Sequence, residues 1–189
     1  MPEKSFIRFG LSDIARVGIF ASLAFAVNAP FLVIPNVETF SVALYLSGIF
    51  LGIMDGLAVS VVAGTIFVFF NPNGPQTILL VGLAQITGFM LFGLAGGFLR
   101  SYVLNNYAGK RVMLISGAVG FVLSLFYDIS TNLALALLHI YGPFWLTIFG
   151  GLSFGLIHIV SNTIIFGMSS LIIYRIWKRI EFIMPPLAG

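Results

Sequence analysis

The nine Lys and Arg residues of this 189-residue chain fall into three clusters, and the long stretches between the clusters are apolar and carry no cation. The clusters are formed by Lys4, Arg8 and Arg16, by Arg100, Lys110 and Arg111, and by Arg175, Lys178 and Arg179. Cytoplasmic loops of membrane proteins are enriched in Lys and Arg. The pattern therefore predicts an integral membrane protein with all three clusters on the cytoplasmic side of the cell membrane.

The composition also favours a membrane protein. The chain is 59% hydrophobic and 8% charged, whereas soluble domains carry about 25% charged residues. Cations gathered on one membrane face explain the net charge of +3, so nucleic acid is not an expected partner. The absence of cysteine excludes thiol chemistry and cysteine-based metal sites. A single membrane domain over residues 1–189 is the economical interpretation.

Apolar length and turn signals predict six membrane spans in an all-α bundle with both termini cytoplasmic. A helix needs about 20 apolar residues to cross a hydrocarbon core about 30 Å thick. The run 41–70 is too long for one span and predicts a hairpin of two short spans, with its turn at Met54-Asp55-Gly56. The N-terminal segment, with Ala24-Phe25-Ala26, also fits a cleavable signal peptide. The predicted spans are 14–33, 41–54, 56–70, 77–99, 112–139 and 147–174.

The cations serve as a depth marker for the polar residues inside the spans. With a rise of about 1.5 Å per helical residue, the strongly polar residues lie about 18 to 25 Å above the nearest cation, in the outer half of the bilayer. Polar groups in lipid are costly and usually face a cavity or the protein interior. The pattern predicts a pocket open to the outside above an apolar floor. These residues are Asn28, Gln85, Asp128, His158 and Asn162.

The candidate ligand-binding residues have a simpler alternative interpretation. Asp128 and Asn132 share one helical face, as do His158 and Asn162, so both pairs could line a pocket. They could equally bond each other and hold two helices together. Loop residues such as Glu38 and Asn73 could simply be solvated. The full candidate set is Asp128, Asn132, His158, Asn162, Gln85, Asn28, Tyr127 for stacking, Glu38 and Asn73.

Small residues recur at four-residue spacing in two regions, which lets helix backbones approach closely. In the hairpin they are Gly48, Gly52, Gly56, Ser60 and Gly64, and internal packing is the favoured interpretation. In the first span they are Gly18, Ser22 and Ala26, which could dock another subunit.

Motifs for catalysis are missing from the sequence. It contains no phosphate-binding loop of the G-x-x-x-x-G-K-[ST] type, no H-E-x-x-H and no G-x-S-x-G. His139 and His158 lie in different elements and lack further metal ligands. We therefore expect no enzymatic activity, no cofactor and no metal site.

Several local patterns are distributed along the chain: Ile34-Pro35-Asn36-Val37-Glu38, the Gly-rich hairpin, Asn71-Pro72-Asn73-Gly74-Pro75 and Gln85. In these patterns the chain resembles, over nearly its whole length, uncharacterised substrate-binding subunits, the S components, of energy-coupling factor vitamin transporters. It implies capture of a vitamin or related micronutrient at the outer face. It also implies a membrane coupling subunit and two cytoplasmic ATPases as partners. The family's Ala-x-x-x-Ala docking pattern reads here as Gly18-x-x-x-Ser22-x-x-x-Ala26, similar in size but not identical.

Three other classes of function stand beside this expectation. A free-standing secondary carrier needs a polar route through the inner half of the bilayer, and the depth pattern predicts none. A structural or assembly protein would use the polar residues only to bond helix to helix. An intramembrane enzyme lacks any supporting motif.

Overall fold

The computed structural model describes residues 10–71, 74–107 and 109–183, and these residues form helices and loops without a strand. Asn73, Lys4 and Arg8 lie outside the described residues. A 3-10 turn, Ala29–Phe31, continues the first helix. The helices are α1 (Leu11–Asn28), α2 (Phe40–Leu51), α3 (Ile53–Phe70), α4 (Leu79–Asn105), α5 (Lys110–Leu137) and α6 (Phe144–Ile183).

Five of these helices are long and apolar enough to cross a membrane; α2 is the exception. At about 1.5 Å per residue its 12 residues rise only about 18 Å, against a core of about 30 Å. Many large apolar side chains on the outer faces of the other helices are exposed, such as Ile19, Phe121 and Leu156, as expected for contact with lipid. The prediction of an all-α membrane-embedded protein is confirmed at this level.

The short helix α2 is the most enclosed element of the bundle. Phe40, Leu44, Tyr45 and Ile49 are fully buried, and α2 packs against α1, α3, α4 and α6. A helix surrounded by protein does not have to match the thickness of the lipid, because its backbone and side chains are covered by its neighbours. This explains how a 12-residue apolar helix fits the bundle.

The turn between α2 and α3 lies at Gly52, so the predicted turn at Met54-Asp55-Gly56 is wrong. Gly52 has φ of 97°, a left-handed conformation that favours glycine. Asp55 stands instead in the first turn of α3, where a carboxylate interacts favourably with the helix dipole. Its Oδ2 also lies 3.1 Å from Arg16 Nη2 of α1.

Helices α4, α5 and α6 extend beyond the spans drawn from apolar length. Arg100 lies inside α4, Lys110 begins α5, and Arg175 lies inside the 40-residue α6. Apolar runs mark the part of a helix that lies in lipid, but the backbone hydrogen-bond ladder continues into the aqueous region. At its C-terminal end, α1 is followed by the 3-10 turn, because Pro30 interrupts the α-helix.

Glycines bring the backbones of α2, α3 and α4 into direct contact. A Cβ at Gly48 would overlap the carbonyl oxygen of Gly93, and a Cβ at Gly96 would overlap that of Tyr45. A Cβ at Gly56 would lie 2.6 Å from Gly48 Cα. Gly48 and Gly56 therefore serve internal packing, as the four-residue spacing indicated, whereas Gly52 forms the turn and a Cβ there would meet no neighbouring atom.

Contacts between helices place the described cations at one end of the bundle, called here the basic end. Arg16 pairs with Asp55 at the start of α3. Arg100 Nη1 donates to Ile49 O at the end of α2, over 3.1 Å. The rings of Tyr107 and Tyr174 lie 5.8 Å apart, joining the α4–α5 loop to the C-terminal half of α6. The segment between α1 and α2 lies at the opposite end.

Candidate functional site

Four polar side chains meet at the end opposite the basic end, and we call them the polar cluster: Glu38, Asp128, His158 and Asn162. His158 Nδ1 lies 2.9 Å from Asp128 Oδ1, which joins α6 to α5. His158 Nε2 lies 3.5 Å from Glu38 Oε1, which joins α6 to the loop before α2. The imidazole is thus flanked by a carboxylate on each side.

Asn162 completes the polar cluster one helical turn after His158. Its Nδ2 lies 2.8 Å from Ser124 Oγ of α5, 3.2 Å from Glu38 Oε1 and 3.0 Å from His158 Nε2. When His158 carries its proton on Nδ1, that nitrogen donates to Asp128 and Nε2 accepts from Asn162. One fully buried amide therefore links two helices and the α1–α2 segment.

The segment before α2 is fixed in place by hydrogen bonds to helix residues. Glu38 Oε2 accepts from Ser41 N at 2.8 Å, and Asn28 Oδ1 accepts from Thr39 N at 2.9 Å. Ser161 Oγ of α6 donates to Asn36 O at 3.0 Å. The side chain of Glu38 is only 20% exposed, so its alternative interpretation as a solvated loop residue is wrong.

The environment of Glu38 favours its ionised form. Burial acts to raise the pKa of the carboxyl, but the hydrogen bond and the charge of His158, with the bonds from Ser41, outweigh burial. The pKa of Glu38 consequently lies below its ordinary value of 4.5.

Glycines on α6 leave room for the polar side chains of α5. A Cβ at Gly155 would lie 3.1 Å from Asp128 Oδ2, and a Cβ at Gly151 would overlap the side-chain amide of Asn132. At Gly120 of α5, a Cβ would lie 2.8 Å from Asn162 O. A larger residue at Gly120 would meet the backbone of α6 and push the antiparallel pair of helices apart, whereas one at Gly151 or Gly155 would displace the polar side chains of α5.

Two cavities adjoin the polar cluster, and Asn36 and Asp128 line both of them. The hairpin cavity, of about 530 Å³, lies between α5 and α6. The inner cavity, of about 330 Å³, lies between the α1–α2 segment and the bundle. The hairpin cavity is lined by Asn36, Asp128, Asn132, Tyr141, Leu146, Thr147, Gly150, Gly151, Phe154 and Gly155. The inner cavity includes Asn28, Phe31, Glu38, Phe67, Gln85, Phe89, Tyr127, Asp128 and His158 in its walls.

Aromatic rings close the inner cavity towards the middle of the bundle. The ring centroids of Phe40 and Phe67 are 4.5 Å apart, and those of Phe89 and Tyr127 are 5.2 Å apart. Tyr127 hydrogen-bonds Gln85 through its side chain, and its ring lies 5.7 Å from the imidazole of His158. This aromatic floor separates the polar cluster from the core.

Two polar atoms in the walls of the hairpin cavity are buried and have no hydrogen-bond partner among the described residues. They are Asp128 Oδ2 and Thr147 Oγ1. Asn162 Oδ1 is unpartnered as well. Buried polar atoms in native proteins are almost always hydrogen-bonded. Two residues of one cavity wall thus carry an unbonded acceptor and an unbonded hydroxyl, which could bond a solute or water that reaches them.

The structure brings most of the candidate residues to one end of the bundle. Asn28, Gln85 and Tyr127 line the inner cavity. Asn132 lines the hairpin cavity and donates to Asp128 O at 2.8 Å. The candidate Asn73 lies outside the described residues. Gly18, Ser22 and Ala26 lie elsewhere, exposed on the face of α1 that points away from the bundle.

Sequence reasoning did not identify Ser124, Thr147 and Asn36 as residues of this region. Ser124 precedes Asp128 by four residues, so the shared face of α5 could have revealed it. Thr147 stands at four-residue spacing from Gly151 and Gly155 along α6, a pattern equally visible in the sequence. Asn36 belongs to the segment Ile34-Pro35-Asn36-Val37-Glu38 that carries the resemblance, but its contact with α6 depends on how the loop folds.

Among the described residues, no group of three or more His, Asp and Glu side chains is arranged to hold a metal ion. In the polar cluster, Glu38 and Asp128 each contact a different nitrogen of the His158 imidazole, so both nitrogens are already engaged.

Fold and surface define the class of this protein: an all-α membrane-embedded protein with a polar cluster and two cavities at one end of its bundle. The sequence matches no protein-family model, no curated protein and no solved structure. Its function therefore has to be argued from the site.

Proposed function

We propose that this protein is the substrate-binding membrane subunit of an importer of the energy-coupling factor type. It would capture a vitamin-like small molecule at the outer face of the cell membrane. The observation that carries the proposal is Asp128: one oxygen is bonded to His158, and the other is buried and unpartnered in a cavity wall. Ligand sites are typically apolar cavities of about 300 to 1,000 Å³ with a few fixed polar groups. The hairpin cavity fits this description in volume and lining, and the inner cavity fits it in volume.

The orientation that we propose follows from the cations. Arg16, Arg100 and Arg175 belong to the basic end, and Lys and Arg are enriched on the cytoplasmic side of membrane proteins. With the basic end inside, the polar cluster faces outward and both termini are cytoplasmic. Counting α2 as a crossing gives six crossings and the even count that this arrangement requires.

The interior below the cavities supports capture rather than free passage. The aromatic floor lies directly under the inner cavity, and beneath it Tyr45 and Phe166 pack with ring centroids 5.2 Å apart. Buried hydroxyls in this region, such as Ser47 and Ser60, bond carbonyls of their own helices. A free-standing carrier would need a polar path here. We therefore favour a binding subunit that depends on partners to move its solute.

The partners in this proposal are a membrane coupling subunit and two cytoplasmic ATPases. The stripe Gly18, Ser22 and Ala26 supports a docking role because it takes no part in the packing of the bundle. All three residues are exposed, and a Cβ at Gly18 would have no neighbour within 4 Å. The opposite face of α1, with Val17, Ala21 and Ala24, is buried against the bundle.

The decisive experiment measures solute retention and partner association separately. The protein is purified in lipid nanodiscs, the retained solute is identified by mass spectrometry, and its binding is measured by thermal stabilisation. We expect wild type to retain a vitamin-sized solute and Asp128→Ala to lose it. A wild-type protein that retains no solute and is stabilised by no vitamin of a broad panel would refute the binding function.

Two glycine variants give matched controls, because a side chain at Gly18 or at Gly150 meets no atom within 4 Å of its Cβ. Gly150 lines the hairpin cavity, so Gly150→Leu should reduce solute binding while leaving co-purification of the partners intact. Gly18→Leu should show the reverse pattern. If solute binding is retained but no ATPase co-purifies with either variant, the protein binds a solute but does not belong to this class of importer.

A structural or assembly role is the alternative, in which the polar cluster only holds α5, α6 and the α1–α2 segment together. The cluster does join these three elements through His158 and Asn162. That role leaves Asp128 Oδ2 and Thr147 Oγ1 without a purpose, which is why we favour solute binding.

A further inference from the structure

The walls of both cavities carry an excess of acidic groups. In the inner cavity, Glu38 and Asp128 contribute two carboxylates and His158 contributes at most one positive charge. In the hairpin cavity, Asp128 is the acidic residue of the wall. With both carboxylates ionised the balance is negative whether or not the imidazole is protonated. No Lys or Arg is present among the described residues that line either cavity. A carboxylate- or phosphate-bearing solute would therefore find repulsion and no counter-charge.

The two carboxylates differ in what they have left to offer. Both oxygens of Glu38 are engaged, Oε2 by Ser41 N at 2.8 Å and Oε1 by Asn162 Nδ2 at 3.2 Å. Asp128 uses only Oδ1, which faces His158. Its Oδ2 is buried without a partner, and a buried unpaired acceptor is costly. Asp128 Oδ2 is therefore the atom most strongly stabilised by an incoming N–H donor.

A second, independent atom indicates that the solute occupies the hairpin cavity. Thr147 is only 6% exposed and lines that cavity, and its Oγ1 has no partner among the described residues. Threonines inside helices usually bond a carbonyl three or four residues earlier, as Thr131 and Thr163 do here. Thr147 does not make this bond. It lines the same cavity as Asp128.

Aromatic residues provide the remaining contact surface. Tyr141 and Phe154 line the hairpin cavity, and the face of an aromatic ring attracts a cation within about 6 Å. Apolar walls, a free carboxylate oxygen and a free hydroxyl together suit a compact flat cation better than a sugar-like or anionic solute.

We infer that the solute is an organic cation of the amidine or protonated-amine class, which donates an N–H to Asp128 Oδ2 and bonds Thr147 Oγ1 within the hairpin cavity. This inference rests on the proposed binding function and names its substrate class.

Three isosteric probes test the charge preference: benzamidine, a cation; benzamide, its neutral counterpart; and benzoate, an anion. Binding to the full-length protein in zwitterionic nanodiscs is measured by saturation-transfer NMR, with empty nanodiscs as the blank. We expect benzamidine to bind about tenfold more tightly than benzamide, because hydrogen bonds to charged groups are about twice as strong as neutral ones. Benzoate should not bind. Equal binding of benzamide, or any preference for benzoate, overturns the substrate class and leaves the binding function standing.

Variants locate the effect. Asp128→Asn should abolish the preference of benzamidine over benzamide, whereas Asp55→Asn, a carboxylate change at the basic end, should preserve it. Thr147→Val keeps the side-chain volume and should weaken benzamidine binding about threefold to tenfold. A preference that survives Asp128→Asn, or affinity unchanged in Thr147→Val, overturns the assignment. Failure of all three probes on wild type overturns it too, and identification of the retained solute decides the binding function separately.

Discussion

His158 Nδ1 lies 2.9 Å from one oxygen of Asp128, while the other oxygen of that carboxylate is buried and has no partner among the described residues. One oxygen of the carboxylate thus holds α6 against α5, and the other is left without a bond on a residue that lines both cavities. The sequence left two interpretations of these residues open, helix bonding and pocket lining. The geometry makes them compatible, because each uses a different oxygen of the same side chain.

Removing the imidazole should destabilise the bundle strongly. In His158→Ala, Asp128 Oδ1 loses its partner and Glu38 faces a buried space without a counter-charge. Breaking one side of a buried pair typically costs about 3 to 5 kcal/mol, so we expect His158→Ala to have a lower Tm in detergent. Changing the buffer pH near neutrality should not restore the Tm. Combining His158→Ala with Asp128→Ala should cost less than the two single losses together. Strict additivity would show that the pair is not coupled.

Backbone contact between α2 and α4 should make Gly96 intolerant of any side chain. A Cβ there would overlap the carbonyl oxygen of Tyr45, and the helices would have to separate. Overpacking costs about 1 to 3 kcal/mol, so Gly96→Ala should lower the Tm measurably. Gly18→Ala is the matched control, because its Cβ meets nothing within 4 Å and alanine favours the helix. Equal Tm values for the two variants would contradict the close approach.

Arg100 should stabilise the end of α2. Its Nη1 donates to Ile49 O and Phe50 O, carbonyls of the last helical turn, where a cation also suits the helix dipole. We expect Arg100→Ala to cost about 1 to 2 kcal/mol, since hydrogen bonds from charged groups contribute about 1.5 to 3 kcal/mol and this side chain is partly exposed. Arg111→Ala removes an exposed cation and should be neutral in the same thermal assay; a comparable loss there would point to a general charge effect.

The general architecture could be predicted from the sequence because it depends on local properties. Apolar length gives the helices, and the distance along each helix from a cation indicates that Asp128 and His158 lie at the end of the bundle opposite the basic end. The turn at Gly52 could not be predicted in this way. Gly48, Gly52 and Gly56 are equivalent in the sequence, and only packing decides that Gly48 and Gly56 are needed in helix contacts while Gly52 takes the positive φ.

Two residues of the site show why the remainder needed the structure. Glu38 reaches His158 and Asn162 across 120 residues or more of sequence, so its position depends on the fold of the α1–α2 segment. Thr147 is distinguished only by its hydroxyl, which has no hydrogen-bond partner among the described residues. A hydroxyl in a helix normally bonds its own backbone, and no sequence pattern distinguishes the hydroxyl that does not.

Stability should depend on pH through Glu38. The folded-state pKa of this carboxyl lies below its ordinary value of 4.5, so its contribution is fully present above about pH 4.5 and is lost as the pH falls through the folded-state pKa. Glu38→Gln removes that contribution at every pH. The Tm difference between wild type and Glu38→Gln should be constant from pH 7 to 5 and shrink at lower pH. A difference that grows on acidification would reverse the sign of the shift.

The orientation of the bundle can be tested with single cysteines, because the chain contains none of its own. Lys110 begins α5 at the basic end, and Tyr141, 67% exposed, lies in the α5–α6 loop. With the basic end cytoplasmic, a membrane-impermeant maleimide should label Tyr141→Cys in intact cells. Lys110→Cys should react only after the membrane is permeabilised. Labelling in the reverse order would place the polar cluster inside the cell.

The same reagents decide whether α2 is a sixth crossing, which its 12 residues alone leave open. Val33, 84% exposed, precedes α2, and Met54, 48% exposed, follows it beyond Gly52. Arg100 binds carbonyls at the end of α2, and Asp55 next to Met54 pairs with Arg16, so α2 connects the two ends of the bundle. We therefore expect Val33→Cys to react in intact cells and Met54→Cys to require permeabilisation. Labelling of both from outside would mean that α2 does not cross the membrane, which leaves five crossings and places the cation clusters on different sides.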